Sequence, residues 1–196
     1  MNNIAKPIFR ILAGLIDFSI VLFMYVYVIF WFSTGSNIEV ILDQLLIAVI
    51  VFLLFGLLYP FIKSFLISTF GGTIGKLLTG TKIIKDGKNL SFWRAFLRNH
   101  IGYMISGVFL YLGFIWIFID KERKGWHDMV ADTLVVITNK STYIIGIIFL
   151  IFITFINVVM VRLSIGNFYN NSSVYTEFTN LITDLQKESV NEINLD

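Results

Sequence analysis

The chain has no cysteine among its 196 residues and only 14% charged residues, and each shortage excludes something. Without cysteine there are no disulfides, no thiolate metal sites and no cysteine nucleophile. With 57% hydrophobic residues and a mean hydropathy of +0.80, the chain is too apolar for an ordinary soluble domain. It also lacks an HExxH pattern, a serine-nucleophile motif and a pair of intramembrane aspartates in matching motifs. We therefore expect no enzyme activity, no cofactor and no metal. "GGTIGKLL" is not a phosphate loop, because Phe70 stands where the leading glycine belongs and Leu77 where Ser or Thr would hold magnesium.

What the chain does have is long apolar runs. About 20 residues at about 1.5 Å rise match a hydrocarbon core about 30 Å thick. Four stretches pass: Ile8 to Phe32, Ile41 to Phe61, Asn99 to Ile119 and Tyr143 to Val161. Each is apolar all round, so each reads as helix in lipid. The first exceeds a signal h-region of about 7 to 15 residues and ends in "WFSTGSN", so it is expected to be a retained span. The expected organisation is a membrane domain over 1–140, an additional transmembrane helix over 141–163 and a polar tail over 164–196. In the tail, "VYTEFTNLITDLQKE" could form an amphipathic helix with Val174, Phe178, Leu181, Ile182 and Leu185 on one side.

Basic residues set the sidedness. Two precede or open the first span (Lys6, Arg10), none falls between Ser33 and Glu39, and seven lie between Lys63 and Arg98. The N-terminus and the second connection are thus expected in the cytoplasm of a cell-membrane protein. Lys121, Arg123, Lys124 and Lys140 then conflict with a plain third span, which would move them outside. If the third segment dips in and returns, thirteen of the fifteen Lys and Arg lie inside; if it spans, eleven do. The fold class is therefore an all-α integral membrane protein of three or four membrane helices with a small cytoplasmic β-hairpin, and the third segment either spans or re-enters.

"TKIIKDGKNLS" carries the hairpin signal, with Asp86-Gly87 at the turn and Lys88 to Ser91 returning. "ADTLVVIT", from Ala131, could pair with "TKII" if both lie on one side. Ser91 is placed to cap "FWRAFLRN", with Phe92, Trp93 and Phe96 at the interface and Arg94 and Arg98 near headgroups.

Arg10, then Asp17 two turns deeper, then "GGTIGKLLTGTKIIKDGKNLSFWRAFLRN" and "DKERKGWHDMVADTLVV" together resemble the RDD family of membrane proteins over roughly Ala5 to Thr138. The family is named for one arginine and two aspartates, which the resemblance places at Arg10, Asp17 and Asp128. The position before Thr73, often glutamine in the family, is Gly72 here. For function the resemblance implies transport, with monovalent cation/proton exchange proposed for some members.

The physics of Asp17 leaves two roles open. An aspartate near a helix centre costs about 2.5 to 3.5 kcal/mol to insert, whereas the fourteen Leu, Ile, Phe and Val between Ile11 and Phe32 contribute roughly −4 to −8. The helix inserts, and Asp17 is expected to face protein or water beside Ala13 and Gly14. Arg10 lies about 10 Å away along the helix, too far for an easy pair. Arg10 would snorkel to headgroups or bind Asp128, while Arg98, Asn99 and His100 are candidate partners for Asp17, with His127 nearby in sequence to Asp128. His127, Asp128 and Asp132 are metal-ligand types but read better as a solvated interface. One role is exchange of protons for monovalent cations through Asp17. The other is a non-transporting adaptor or scaffold whose Arg and Asp are structural. The expected partners are membrane lipids, monovalent cations and protons, and further copies of the chain in a homo-oligomer, with no nucleic acid.

Overall fold

The apolar runs form three helices long enough to cross a membrane in a computed structural model that describes residues 3–108 and 112–193. They are α1 (Pro7–Ser33), α2 (Ile38–Phe70) and α8 (Thr142–Asn170). Both α2 and α8 run about nine residues past their apolar stretches, because Ser, Lys and Asn do not break a helix once its length is nucleated.

The third apolar stretch is no single rod. It begins with α4 (Phe92–Asn99) and α5 (Ile101–Val108) and resumes in α6 (Leu112–Ile115) and a 3-10 turn at Trp116–Phe118. The segments Phe92–Gly107 and Leu112–Phe118 are bent by 111° relative to each other. Strand β1 (Thr81–Ile84) precedes this stretch and β2 (Leu134–Ile137) follows it, yet the two pair antiparallel, Thr81 opposite Ile137 and Ile84 opposite Leu134. A chain whose two ends meet in one sheet has returned to the side it left. That is the geometry expected of a re-entrant stretch, which would leave the basic residues on both sides of it on one face.

The chain forms two compact units. The first, Met1–Val21 with Leu54–Thr154, holds the sheet, the re-entrant stretch and two short helices, α3 (Ile74–Leu78) and α7 (Trp126–Ala131). Ala5 donates its N–H to the Val135 carbonyl at 2.8 Å, and the Ile137 N–H reaches Asn3, so the N-terminal segment closes one edge of the sheet. On the other edge the Ile83 N–H bonds the Gly71 carbonyl at 2.7 Å. Covering both edges removes the template for pairing with another chain. Ile67, Ile83, Leu90, Ala95 and Val135 form the core beneath the sheet.

The Asp86-Gly87 turn is present, with φ of 49° and 77° at its two central residues and Lys85 bridged to Lys88. Lys88 to Ser91 does not continue as a strand: β1 takes β2 as its partner instead, which offers four apolar or β-branched positions in register. Ser91 sits at the N-cap of α4 without a side-chain cap bond.

The second unit is Leu22–Leu53 with Phe155–Asp196. Here Tyr25 stacks on Phe52 with centroids 5.1 Å apart, and Gln44 donates to the Trp31 carbonyl. The tail forms a helix, α9 (Ser172–Ile193), longer than its apolar stripe requires. The carbonyls orphaned at the end of α1 explain its start: Tyr175 donates to Phe32 at 2.7 Å and Asn171 to Ser33.

Candidate functional site: a buried charge lock beside a cationic cavity

The first unit places Asp128 at the centre of its polar interior. "GWHD" opens α7 with Gly125 at the N-cap, and the Asp128 side chain accepts the Gly125 N–H at 3.0 Å. That fixes the carboxylate at the helix start, where the helix dipole also favours negative charge. One oxygen takes the Arg10 guanidinium; the other accepts Arg98 from Nη2 at 2.6 Å and Nε at 3.1 Å. Asp128 and Arg98 are essentially inaccessible, and Arg10 is 8% exposed. Burial by itself would raise the carboxyl pKa, but Arg98 first, then Arg10, hold it well below the usual carboxylate range.

Arg10 does more than pair. Its other nitrogen donates to the Arg123 carbonyl, so one side chain at the start of α1 ties down both Arg123 and α7. Arg123 has φ of 54°, an unusual conformation for a residue with a side chain. His127, 4% exposed, lies 3.3 Å from Arg10 through Nε2 and 3.3 Å from Ser106 through Nδ1, between the Tyr103 and Phe114 rings. Burial, reinforced by Arg98 and Arg10 and opposed by Asp128, pushes its pKa well down, so it stays neutral.

Asp17 is held elsewhere. Its two oxygens accept the Thr73 hydroxyl at 2.6 Å and the Gly75 N–H at 2.8 Å, which pins the start of α3 to α1. Gly75 is required by that approach: a Cβ there would overlap the Ala13 carbonyl and stand 3.0 Å from the Asp17 carboxyl carbon. Gly14 is not part of the contact, since a Cβ on it would meet nothing within 4 Å.

These positions correct several expectations. Arg98 is neither at headgroups nor on Asp17; it is buried against Asp128, because α4 lays its last turn on α7. Asn99 accepts from Arg98 at 3.3 Å and His100 is exposed against Phe96, so neither reaches Asp17. Short-range donors from α3 satisfy that carboxylate first. His127 and Asp128 are buried rather than solvated, whereas Asp132 is exposed and pairs with Lys85 at 2.6 Å. Arg10, Arg98, Asn99, His127 and Asp128 are thus together, Asp17 forms a second contact, and His100 stands apart.

Between these contacts lies a cavity of about 540 Å³ whose polar wall is Arg10, Asp17, Lys63, Lys76, Arg98 and His127. Sequence reasoning counted Lys63 as a loop residue. It lies inside α2, with Nζ 5.3 Å and 5.2 Å from the Tyr59 and Tyr103 ring centres. The signal that could have found it is an ionisable residue within "YPFIKSFLIS", a context where such residues are costly and seldom idle. Lys76, 7% exposed, has no hydrogen bond or ion pair from its ammonium among the described residues.

No group of three or more metal-ligating side chains occurs among the described residues. No solved structure matches the chain. An uncharacterized protein of Bacillus subtilis (strain 168), YxaI, is 36% identical over 94 residues, covering 47% of this chain and 56% of its own length. The chain thus spans a little over half the length of that curated relative. The RDD family profile matches residues 4–132, which takes in Arg10, Asp17, the whole re-entrant stretch and Asp128, and the chain belongs to the RDD family of membrane proteins.

Proposed function

We propose that this is a non-enzymatic multi-pass protein of the cell membrane, its N-terminus in the cytoplasm, whose Arg10, Asp17 and Asp128 form a structural lock. The observation that carries this reading is that every oxygen of both carboxylates is held by a protein donor, two of those donors being guanidinium groups. A carboxylate that loads and unloads cations must change partners, and Asp128 is fully taken, with Arg10 and Gly125 on one oxygen and Arg98 twice on the other. The lock ties the start of α1 to both arms of the re-entrant stretch, so the protein acts as a scaffold embedded in lipid, with membrane lipids as its surroundings and self-association as a further route to a larger assembly. The basic residues that flank the sheet and the re-entrant stretch support the cytoplasmic orientation.

A second reading is exchange of protons for monovalent cations, favoured by one observation: Asp17 lies on the cavity wall. Purified protein in sealed vesicles separates the two. The lock predicts no sodium- or potassium-dependent dissipation of a proton gradient, and it predicts that Asp17→Asn lowers the unfolding temperature. Robust exchange by the parent, lost in Asp17→Asn at unchanged stability, would replace the lock with the exchanger.

A further inference from the structure

We propose that the cavity beside Asp17 binds the phosphate-bearing headgroup of an anionic membrane lipid. The inference goes beyond the lock, which would hold with the cavity empty. Its first support is charge. The wall carries Arg10, Lys63, Lys76 and Arg98 against Asp17, and the Asp128 that balances the two arginines is fully buried behind them. Hydrogen bonds from Thr73 and Gly75 leave the charge of Asp17 in place, but Asp17 and Asp128 together offset only two of the four cations, so a positive excess remains at the wall.

The second support is Lys76. It is 7% exposed, lines the cavity, and its ammonium has no acceptor among the described residues. A buried ammonium is ordinarily paired. Phosphate oxygens are strong acceptors for it, and Lys63 and Arg98 on the same wall extend the cradle.

The third support is the rim, which selects the source of the phosphate. Phe18, Ile115 and Phe118 line the same cavity and are 63%, 48% and 62% exposed. Phe18 lies eleven residues into the first spanning helix, about 16 Å along its axis and so at hydrocarbon depth. The opening between α1 and α6 therefore faces acyl chains. A volume of about 540 Å³ suits a headgroup and glycerol, leaving the tails in the bilayer.

The test uses the full chain purified in detergent, with lipid retention read by native mass spectrometry against dioleoyl phosphatidylglycerol, dioleoyl phosphatidylcholine and inorganic phosphate. The parent is expected to retain phosphatidylglycerol about tenfold better than phosphatidylcholine. Lys76→Met and Lys63→Met are each expected to lose roughly that preference, Lys76→Arg to keep it, and Lys85→Met, outside the cavity, to match the parent. Without lipid, Lys76→Met is expected to unfold at a higher temperature, because it removes a buried cation that lacks an acceptor. Equal retention of the two lipids by the parent, or unchanged preference in Lys76→Met, would overturn the proposal. If Lys76→Met does not fold, unchanged preference in Lys63→Met overturns it instead. Protection by inorganic phosphate equal to that by phosphatidylglycerol would overturn the lipid source. None of these outcomes bears on the lock, which stands or falls by the exchange assay and by Asp128 variants.

Discussion

Asp128 is the residue at which several forces compete, and their magnitudes say which wins. Burying a carboxylate costs several kcal/mol, and only well-placed partners offset it. Here two guanidiniums and a helix-start N–H meet one side chain. Removing one partner strands the others, so Asp128→Asn is expected to destabilise by about 3 to 5 kcal/mol, measured by thermal unfolding in detergent. His127 adds a pH dependence of definite sign. Its folded pKa lies well below that of an unfolded histidine, so below about pH 6.5 the unfolded chain binds a proton that the folded one does not. Stability is therefore expected to fall on acidification by up to roughly 1.4 kcal/mol per pH unit, and to be recovered as pH rises through 6.5. Asp128 does not contribute in that window, because its pKa is depressed and its contribution is lost only at far lower pH. His127→Gln should flatten the profile between pH 5 and 7; an unchanged slope would mean that His127 does not carry it.

Among the elements, α3 shows how a short helix can be held by contacts rather than by length. Five residues cannot sustain a helix alone. What holds it is the Asp17 carboxylate at its start and the bare backbone at Gly75. Gly75→Ala must displace α3 from the Ala13 carbonyl and is expected to cost about 1 to 3 kcal/mol. Gly14→Ala, one residue along α1 from Ala13, has open space and should be neutral or stabilise by about 0.5 to 1 kcal/mol. Unfolding temperatures for the pair distinguish a local steric requirement from a general intolerance of the helix. The sequence made Asp17 conspicuous, and its need for an inward face followed from lipid physics alone. Its partners did not, because Thr73 and a backbone N–H are unremarkable residues in a glycine-rich stretch. Arg98 was misplaced for a related reason. "FWRAFLRN" has the pattern of an interfacial helix, and only the position of α7 decides that its last turn faces inward. The spans, the Asp86-Gly87 turn and the β1–β2 pairing were legible, since periodicity and turn chemistry are local signals. The half-burial of Lys63 and the burial of Lys76 depend on which elements surround them, which no local pattern records.

For the molecule as a whole, the strongest constraint is the number of crossings. Three spanning helices with a re-entrant stretch make an odd number of crossings, whereas a third stretch that crosses makes an even number. Charge alone favoured re-entry by thirteen basic residues against eleven, a small margin for a statistical rule. The antiparallel pairing of β1 with β2 adds a covalent argument for re-entry, because a stretch that ended on the far face would have to bring Leu134 back to Ile84. The missing cysteines make the test clean, since every labelled site is an introduced one. Lys88→Cys reports the hairpin turn before the stretch, Lys121→Cys the loop after it, and Asn180→Cys the exposed side of α9. In intact cells, a membrane-impermeant maleimide is expected to reach only Asn180→Cys, and to reach Lys88→Cys and Lys121→Cys after permeabilisation. Labelling of Lys121→Cys from outside would mean that the third stretch crosses, and would separate the ends of the lock that Arg10 and Arg98 close on Asp128.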